Sequence, residues 1–285
     1  MRKVSIITDS SACLPQEQIT KYDISVVPLR LIIDGHVYRD GVDITPGEIY
    51  NLQRSSKILP TTSAPSPGEF LETYRTASEK SDAILSIAIS HKLSMSFDSA
   101  LQAKEIAREK LPKVKIEVLD ARTAAGAHGF LVMAATRIIA AGGGLAEAIQ
   151  EVERLFSKIN LVVTVDTLYF LAKGGRVPRA AAWATSFLSI KPILEVAGGE
   201  AVLLERIRTK PRAVARLMEI MEERAGRKQL HVNLMHAGVP EEAEEFKNKV
   251  LARFDCAELY VTEFTPVMGV HTGPGLIGLA FYSEE

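Results

Sequence analysis

The first half of the chain contains three near-continuous apolar runs, at residues 3–8, 82–89 and 115–120, and a helical pattern follows each of them. Runs of this length without polar alternation are typical of strands that are buried on both faces of a parallel sheet. Parallel neighbours require crossover connections, which are usually helices. The pattern therefore predicts an N-terminal α/β/α domain built on a parallel sheet.

Small polar residues follow each of these three strands. The clusters read TDSSACLP, SHKLSMS and DARTAAG in chain order. The carboxyl ends of parallel strands lie at one edge of the sheet, and ligands bind in the crevice outside that edge. We therefore expect the three loops to converge on one site.

Beyond a glycine-rich break at residues 141–145, the pattern changes. The break follows one helical pattern and precedes another, which is typical of a helix C-cap and linker rather than of a dinucleotide-binding loop. Six strand-like runs come after it, with helical segments between only some of them: INLVVTV, PILEV, EAVLLERIR, LHVNLMH, AELYVTEF and LIGLAFY. The second half is therefore predicted to be a C-terminal α/β domain with a mixed sheet, the two domains spanning residues 1–150 and 151–285.

Composition excludes several classes of function. The 285 residues carry 34 Lys and Arg against 35 Asp and Glu, so the chain as a whole has no electrostatic footprint for nucleic acid or an anionic membrane. The cysteines, Cys13 and Cys256, form no disulfide framework or metal-ligand pair, as expected in a reducing compartment. The sequence contains no P-loop, H-E-x-x-H, G-x-S-x-G or metal-spaced Cys/His set, so no cofactor or metal is predicted.

Two charged residues argue against export and membrane insertion. Asp9 interrupts the first apolar run far short of the length that a signal peptide needs. Arg137 interrupts the apolar stretch at residues 130–142, which is therefore not a membrane span. We expect a cytoplasmic protein with no nucleic-acid partner and no stable membrane insertion.

Residues 58–70, ILPTTSAPSPGEF, combine a cluster of hydroxyls with flanking prolines. Proline fixes φ and removes a backbone donor, so we expect residues 61–63, TTS, to be rigid without belonging to a sheet. Ser66 and Glu69 have the spacing of a capping box and account for a helix start at PSPGEF. That helix start leaves the TTS hydroxyls without a structural role.

Asp9, at the end of the first predicted strand, is open to two interpretations. It could be a phosphoryl-accepting or metal-binding carboxylate, but Ser11 stands where a phosphatase of that kind would place a second Asp. Alternatively, Asp9 or one of the two serines after it caps a helix.

Two segments of the second half combine glycines with polar side chains. Arg176 follows two glycines in YFLAKGGRVPRA, and glycine lets a backbone approach another group closely. His271 and Thr272 lie in a turn rich in Gly and Pro directly before a strand-like run. An ordinary turn and a structural histidine would account for these features equally well.

These segments, taken in order along nearly the whole chain, closely resemble the DegV family of bacterial fatty-acid-binding proteins. The motifs are TDSSACLP, YRDGVDIT, PTTSAPSPGEF, SHKLSMSFDSA, DARTAAGAHGFLV, LAKGGRVPRA, IKPILEVAGGE, RIRTKPRA and HTGPGLIGLAF. The resemblance implies a non-enzymatic, two-domain α/β protein that holds one long-chain fatty acid between its domains, with the carboxylate at the hydroxyl cluster and the tail buried. It also implies a partner, since several members present the acid to a separate fatty acid kinase subunit that phosphorylates the carboxylate to an acyl phosphate.

The resemblance assigns the ligand contacts by position. Either Thr61 or Thr62, together with Ser94, would bind the carboxylate, and Arg176 and His271 would complete the polar network. The full set expected at the ligand is Thr61, Thr62, Ser63, Ser94, Met95, Arg176, His271 and Thr272.

The sequence departs from the family beside this cluster. Met95 stands where the family usually has a glycine, so we expect an effect on head-group geometry or on the preferred chain length. Residues 129–141 and 179–194 are the expected walls of the tail pocket, and ordinary helix packing would explain them equally well.

Residues 205–216, ERIRTKPRAVAR, place five positive charges in a nearly neutral chain. Strand alternation puts Arg206 and Arg208 on one face. We predict that these two arginines contact the kinase subunit. The alternative is a solvated strand end that runs into a helix.

Two other functions remain compatible with the sequence. Ser94 with His271 as its base could form an acyl hydrolase, although Ser94 lacks the strained G-x-S-x-G turn of a nucleophile elbow. The chain could also be a lipid-sensing regulatory module, for which the bound lipid is a signal.

Overall fold

The computed structural model describes residues 4–55, 58–177, 190–226 and 228–284. In the first half, the elements are β1 (Val4–Asp9), a 3₁₀ turn (Ser10–Ala12), α1 (Gln16–Tyr22), β2 (Ser25–Val27), β3 (Arg30–Ile33), β4 (His36–Arg39), α2 (Pro46–Ser55), β5 (Thr61–Ser63), α3 (Pro67–Ser78), β6 (Ala83–Ala88), α4 (Ser96–Lys110), β7 (Lys115–Asp120), α5 (Ala125–Ala140) and α6 (Leu145–Leu155). In the second half, they are β8 (Asn160–Thr164), α7 (Tyr169–Gly174), β9 (Lys191–Ala197), β10 (Glu200–Ile207), α8 (Lys210–Ala225), β11 (Leu230–His236), α9 (Pro240–Arg253), β12 (Cys256–Glu263), α10 (Pro266–Thr272) and β13 (Ile277–Ser283).

A parallel sheet lies at the centre of the first half. Its order is β2-β1-β6-β7, and each pairing is parallel. α3 and α4 cover one face, where Phe70 and Ala103 share a buried cluster with Ile7 and Ile84. α5 and α6 cover the other face. This layering confirms the α/β/α arrangement that the apolar runs predict.

A mixed six-stranded sheet forms the second half, in the order β10-β9-β8-β13-β11-β12. β11 and β12 are parallel, and the other pairs are antiparallel. α8 and α9 cover the outer face, where Leu217 and Phe246 share a buried cluster with Leu279. The inner face, on which Val163 lies opposite Leu194, is turned toward the first half. The mixed sheet expected from the sequence is confirmed.

A third sheet, of three strands in the order β4-β3-β5, contains the TTS segment. The expectation that this segment lies outside any sheet is wrong, because residues 61–63 pair antiparallel with β3 and place Leu31 opposite Thr62. The flanking prolines permit the pairing because β5 is a short edge strand and both Pro60 and Pro65 lie outside it.

Helix ends follow the local signals in the sequence. Ser66 and Glu69 form the capping box of α3. Asp9 caps the 3₁₀ turn by accepting a hydrogen bond from the Ser11 N–H, as the capping interpretation requires. The domain boundary at residue 150 falls within α6 and stays a prediction.

α5 lies in a buried cluster that includes residues of both halves of the chain. Residues 125–136 of this helix are all buried, which explains their mostly apolar character. None of the helices in the described ranges combines the length and the apolarity that a membrane span requires.

A partly buried ionic network lies where α5 meets the second sheet. Glu258 accepts hydrogen bonds from Arg137 and from the Tyr260 hydroxyl, and its Oε1 lies 2.7 Å from His231 Nδ1. The His231 ring stacks on Tyr282, with ring centroids 4.4 Å apart. Burial raises the pKa of Glu258, but the hydrogen bonds from its neighbours outweigh burial and hold the pKa at about 2.

We predict that Glu258→Gln lowers the free energy of unfolding at neutral pH and that this loss fades in acid. Because the pKa of Glu258 is depressed in the folded state, its contribution is complete above the pKa of an unfolded glutamate, about 4.3. That contribution is lost as the pH falls toward the folded value of about 2. Urea unfolding at about pH 7 and about pH 3 measures the difference.

Glu109→Gln, at an exposed position near the end of α4, is the matched control and should change stability little at either pH. A loss for Glu258→Gln that is the same size at both pH values would contradict the prediction.

Candidate functional site

A cavity lies between the inner face of the six-stranded sheet, α10 and loops at the carboxyl edge of the parallel sheet. Its empty volume, which includes space open to solvent, is about 880 Å³. Its walls are mostly apolar and include Leu161 and Val163 from β8, Leu194 and Val196 from β9, and Val267 and Met268 from α10.

Two of the three polar loops reach this cavity. The loop after β6 contributes Leu93 and Ser94, and the loop after β7 contributes Ala124. The loop after β1 is not part of the cavity lining, so the expected convergence of all three loops is corrected. Asp9, at the start of that loop, is fully buried and turned toward protein donors instead.

Polar side chains from both halves of the chain line the same cavity. Thr62 and Ser94 come from the first half, and Arg176, His271 and Thr272 come from the second. Thr62 Oγ1 lies 2.7 Å from His271 Nε2, a hydrogen bond between residues 209 positions apart in the sequence. This contact joins an edge strand of the small sheet to α10.

His271 is held as a neutral imidazole. Burial lowers its pKa, the Arg176 guanidinium lowers it further, and the resulting value is about 4. Nδ1 is buried and has no hydrogen-bond partner among the described residues. The tautomer with its proton on Nε2 would donate to Thr62 and leave the Thr62 hydroxyl proton free to bind a ligand.

Ser94 is fixed by backbone contacts in the loop between β6 and α4. Its Oγ accepts a hydrogen bond from the Ser96 N–H at 3.2 Å, and its own N–H donates to the Ser90 carbonyl at 3.1 Å. Ser90 Oγ donates to the Gly199 carbonyl at 2.8 Å, in the turn between β9 and β10. The loop is thus attached to the second half of the chain.

α10, which carries His271, is held at both ends by the first half of the chain. Asp40 Oδ1 accepts a hydrogen bond from the Val267 N–H at 2.9 Å. Gln53 Nε2 donates to the Gly269 carbonyl at 3.0 Å. The Asp40 bond satisfies an N–H that a helix leaves unpaired at its start, and both bonds fix the position of His271. Sequence reasoning missed both supports, and the only signal was that Asp40 lies in the motif YRDG.

Six of the eight predicted contact residues line the cavity: Thr62, Ser63, Ser94, Arg176, His271 and Thr272. Their contact with a ligand stays a prediction. Thr61 is exposed and does not line the cavity. Met95 precedes α4 with its side chain 62% exposed, so the expectation that it contacts the ligand is not supported by its placement.

The predicted walls are corrected in part. α5 reaches the cavity only through its first residue, Ala125, whereas residues 129–141 do not line it. Residues 129–136 are buried in the core; Gly129, for example, lies against the Ala12 carbonyl. Residues 179–189 of the second predicted wall lie outside the described ranges.

Arg206 and Arg208 lie at the end of β10, where both are exposed, and neither lines the cavity. Arg216, in the same basic run, donates hydrogen bonds to Glu205 that are as short as 2.8 Å. A contact between the two exposed arginines and a partner stays a prediction.

No group of three or more His, Cys, Asp and Glu side chains in the described part of the chain has the arrangement of a metal site.

The profile of a protein family described as "Uncharacterised protein, DegV family" matches residues 3–284. The chain belongs to the DegV family. The family resemblance of the sequence motifs is therefore confirmed.

Relatives in the DegV family match along the whole chain. A DegV domain-containing protein from Streptomyces coelicolor is 36% identical over 285 residues, which cover 99% of each chain. A DegV family protein from Thermus thermophilus, described by its fatty acid binding, has a TM-score of 0.91 at 33% identity, covering 99% of this chain and 100% of that one. A stearic acid-binding protein from Eubacterium ventriosum has a TM-score of 0.91 at 28% identity, covering 100% of this chain and 99% of that one.

We predict that Gly174→Ala displaces the His271 ring from Thr62. A Cβ at position 174 would overlap His271 Nδ1, so the ring would have to shift. Overpacking of this kind destabilises a folded protein by about 1–3 kcal/mol. Urea unfolding measures the loss, and the imidazole resonances of His271 report the displacement.

Gly68→Ala is the matched control, because the Cβ added there would lie 3.8 Å from its nearest neighbour, Ser66 Oγ. If the His271 resonances stay in place in Gly174→Ala, α7 does not confine the ring and the prediction is wrong.

Proposed function

We propose that this chain binds one long-chain fatty acid, with its carboxylate at the hydroxyls of Thr62 and Ser94 and its alkyl tail in the apolar cavity. The observation that carries the proposal is the 2.7 Å contact between Thr62 and His271 in the wall of a mostly apolar cavity. Hydroxyl donors and the Arg176 guanidinium suit a carboxylate, and aliphatic walls suit a hydrocarbon chain.

The two ends of such a ligand contribute differently to binding. Each buried methylene contributes about 0.8 kcal/mol. A hydrogen bond to a charged group contributes about 1.5–3 kcal/mol. The tail of an acid with roughly 16 carbons therefore supplies most of the affinity, and the polar residues supply the orientation.

The DegV relatives support the proposal. The Thermus protein is described by its fatty acid binding and the Eubacterium protein as stearic acid-binding, and both share the fold of this chain from end to end. The mostly aliphatic walls of the cavity are consistent with a ligand of that class.

The hydrogen bond between Thr62 and His271 argues against an acyl hydrolase. His271 would have to take the hydroxyl proton of Ser94, yet its Nε2 is bonded to Thr62. Its Nδ1 has no carboxylate to orient the ring within the described residues. A binding role uses these groups as donors and requires no base.

The chain would then act as a carrier that presents its fatty acid to a separate kinase subunit, which forms the acyl phosphate. A carrier must be recognised by its partner, and an exposed cationic pair suits an acidic surface on that partner. Arg206 and Arg208 supply such a pair outside the cavity, at the end of β10.

The double variant Thr62→Ala with Ser94→Ala should weaken fatty-acid binding without abolishing it. Two charge-assisted hydrogen bonds are lost, at a cost of about 3–6 kcal/mol, and the larger tail contribution remains. Displacement of a fluorescent fatty acid by hexadecanoic acid measures the affinity. Thr61→Ala, at the exposed neighbour of Thr62, is the control and should bind as the wild type does. Unchanged affinity in the double variant would place the carboxylate elsewhere.

The double variant Arg206→Ala with Arg208→Ala should bind hexadecanoic acid normally and be phosphorylated more slowly by the kinase subunit. Salt screens electrostatic attraction, so the difference in phosphorylation rate between this variant and the wild type should become smaller as ionic strength rises. Initial rates of acyl phosphate formation measure both effects.

Arg75→Ala with Arg108→Ala removes two exposed arginines from α3 and α4 and is the control for net charge. Equal slowing in both double variants would mean that net charge, and not a docking surface at β10, determines the rate.

A further inference from the structure

The Asp9 carboxylate is buried and accepts hydrogen bonds at both oxygens. Oδ1 accepts from the N–H of Ser11 at 3.1 Å and from the Ser11 hydroxyl. Oδ2 accepts from the N–H of Ile89 at 3.0 Å and from the hydroxyl of Ser96 at 2.7 Å. Burial lowers the pKa of the nearby His128, and four protein donors bond the Asp9 carboxylate directly.

The two donors to Oδ2 lie on either side of the loop that carries Ser94. Ile89 directly follows β6, and Ser96 is the first residue of α4. A single carboxylate oxygen therefore holds both ends of this loop at the end of β1. Residues 90–95 lie between these two fixed points.

Ser96 also contacts Ser94 directly. Its N–H donates to Ser94 Oγ at 3.2 Å, which occupies one acceptor site of that hydroxyl. With this site taken on the helix side, the Ser94 hydroxyl can direct its proton into the cavity that it lines. The position of Ser96 thus sets both the place and the orientation of the Ser94 hydroxyl.

We infer that Asp9 and Ser96 are positioning residues for head-group recognition, since they hold the Ser94 hydroxyl in place to bind the carboxylate of the ligand. The inference rests on the proposed function and deepens it, because neither residue lines the cavity. Displacement of a binding group by about an ångström is enough to lose most of a directional contact. The tail contacts do not depend on this hydroxyl.

The test compares hexadecanoic acid with 1-hexadecanol, which share a tail and differ in charge at the head group. Ser96→Ala should weaken binding of the acid by about 10- to 150-fold, the size of one lost hydrogen bond to a charged group. Binding of the alcohol should change less than about twofold, since its affinity rests on the tail. Ser99→Ala removes another buried serine from the same helix and should leave both affinities unchanged.

A double-mutant cycle separates positioning from general structural support. In a Ser94→Ala background, Ser96→Ala should no longer alter the ratio of acid to alcohol affinity, because the hydroxyl that it positions is absent. The isosteric pair Ser96→Thr and Ser96→Val gives a second comparison if Ser96→Ala does not fold. Thr keeps a hydroxyl for Asp9 and should keep the wild-type ratio, whereas Val should lower it.

Equal losses for the acid and the alcohol would mean that Ser96 supports the fold only, and would overturn the inference. The same change of ratio with and without the Ser94 hydroxyl would also overturn it. Failure of the wild-type chain to bind hexadecanoic acid at all is a different result, because it removes the proposed function together with the inference that rests on it.

Discussion

The hydrogen bond between Thr62 and His271 joins the two halves of the chain in the wall of the cavity. Thr62 lies on a three-residue edge strand, and His271 lies on a seven-residue helix. Elements this short have no stability of their own. Pairing with β3 holds the strand, and Asp40 and Gln53 hold the helix. The geometry of the site is therefore a tertiary property of the fold.

Buried polar groups around the cavity fall into two kinds. The Asp9 carboxylate is bonded by donors at both oxygens, and a fully satisfied group of this kind makes its surroundings rigid. His271 is buried with Nδ1 unpartnered among the described residues. A buried polar atom without a partner is costly and is retained mainly where function requires it. The Asp9 carboxylate does not line the cavity, whereas His271 does.

Both large sheets could be predicted from the sequence because burial of a strand leaves a local pattern, as at residues 3–8 and 82–89. The small sheet could not, since β5 is defined by its pairing with β3. The prediction that residues 129–141 of α5 line the cavity was also wrong. A helix that is apolar on nearly every side is buried, but its sequence does not indicate which face lines a cavity. Most residues of the candidate site were predicted from the family resemblance. The hydrogen bond from Gln53 to α10 could not be predicted, because it joins residues that are distant in sequence and leaves no local signal.

The central claim is that a fatty acid lies in this cavity with its carboxylate at Thr62 and Ser94. A crystal structure of the protein with hexadecanoic acid tests this claim most directly. The account predicts carboxylate oxygens within about 2.5–3.0 Å of Thr62 Oγ1 and Ser94 Oγ, with the tail against the β8 and β9 side chains. A carboxylate that points into solvent, or an acid bound outside the cavity, would contradict it.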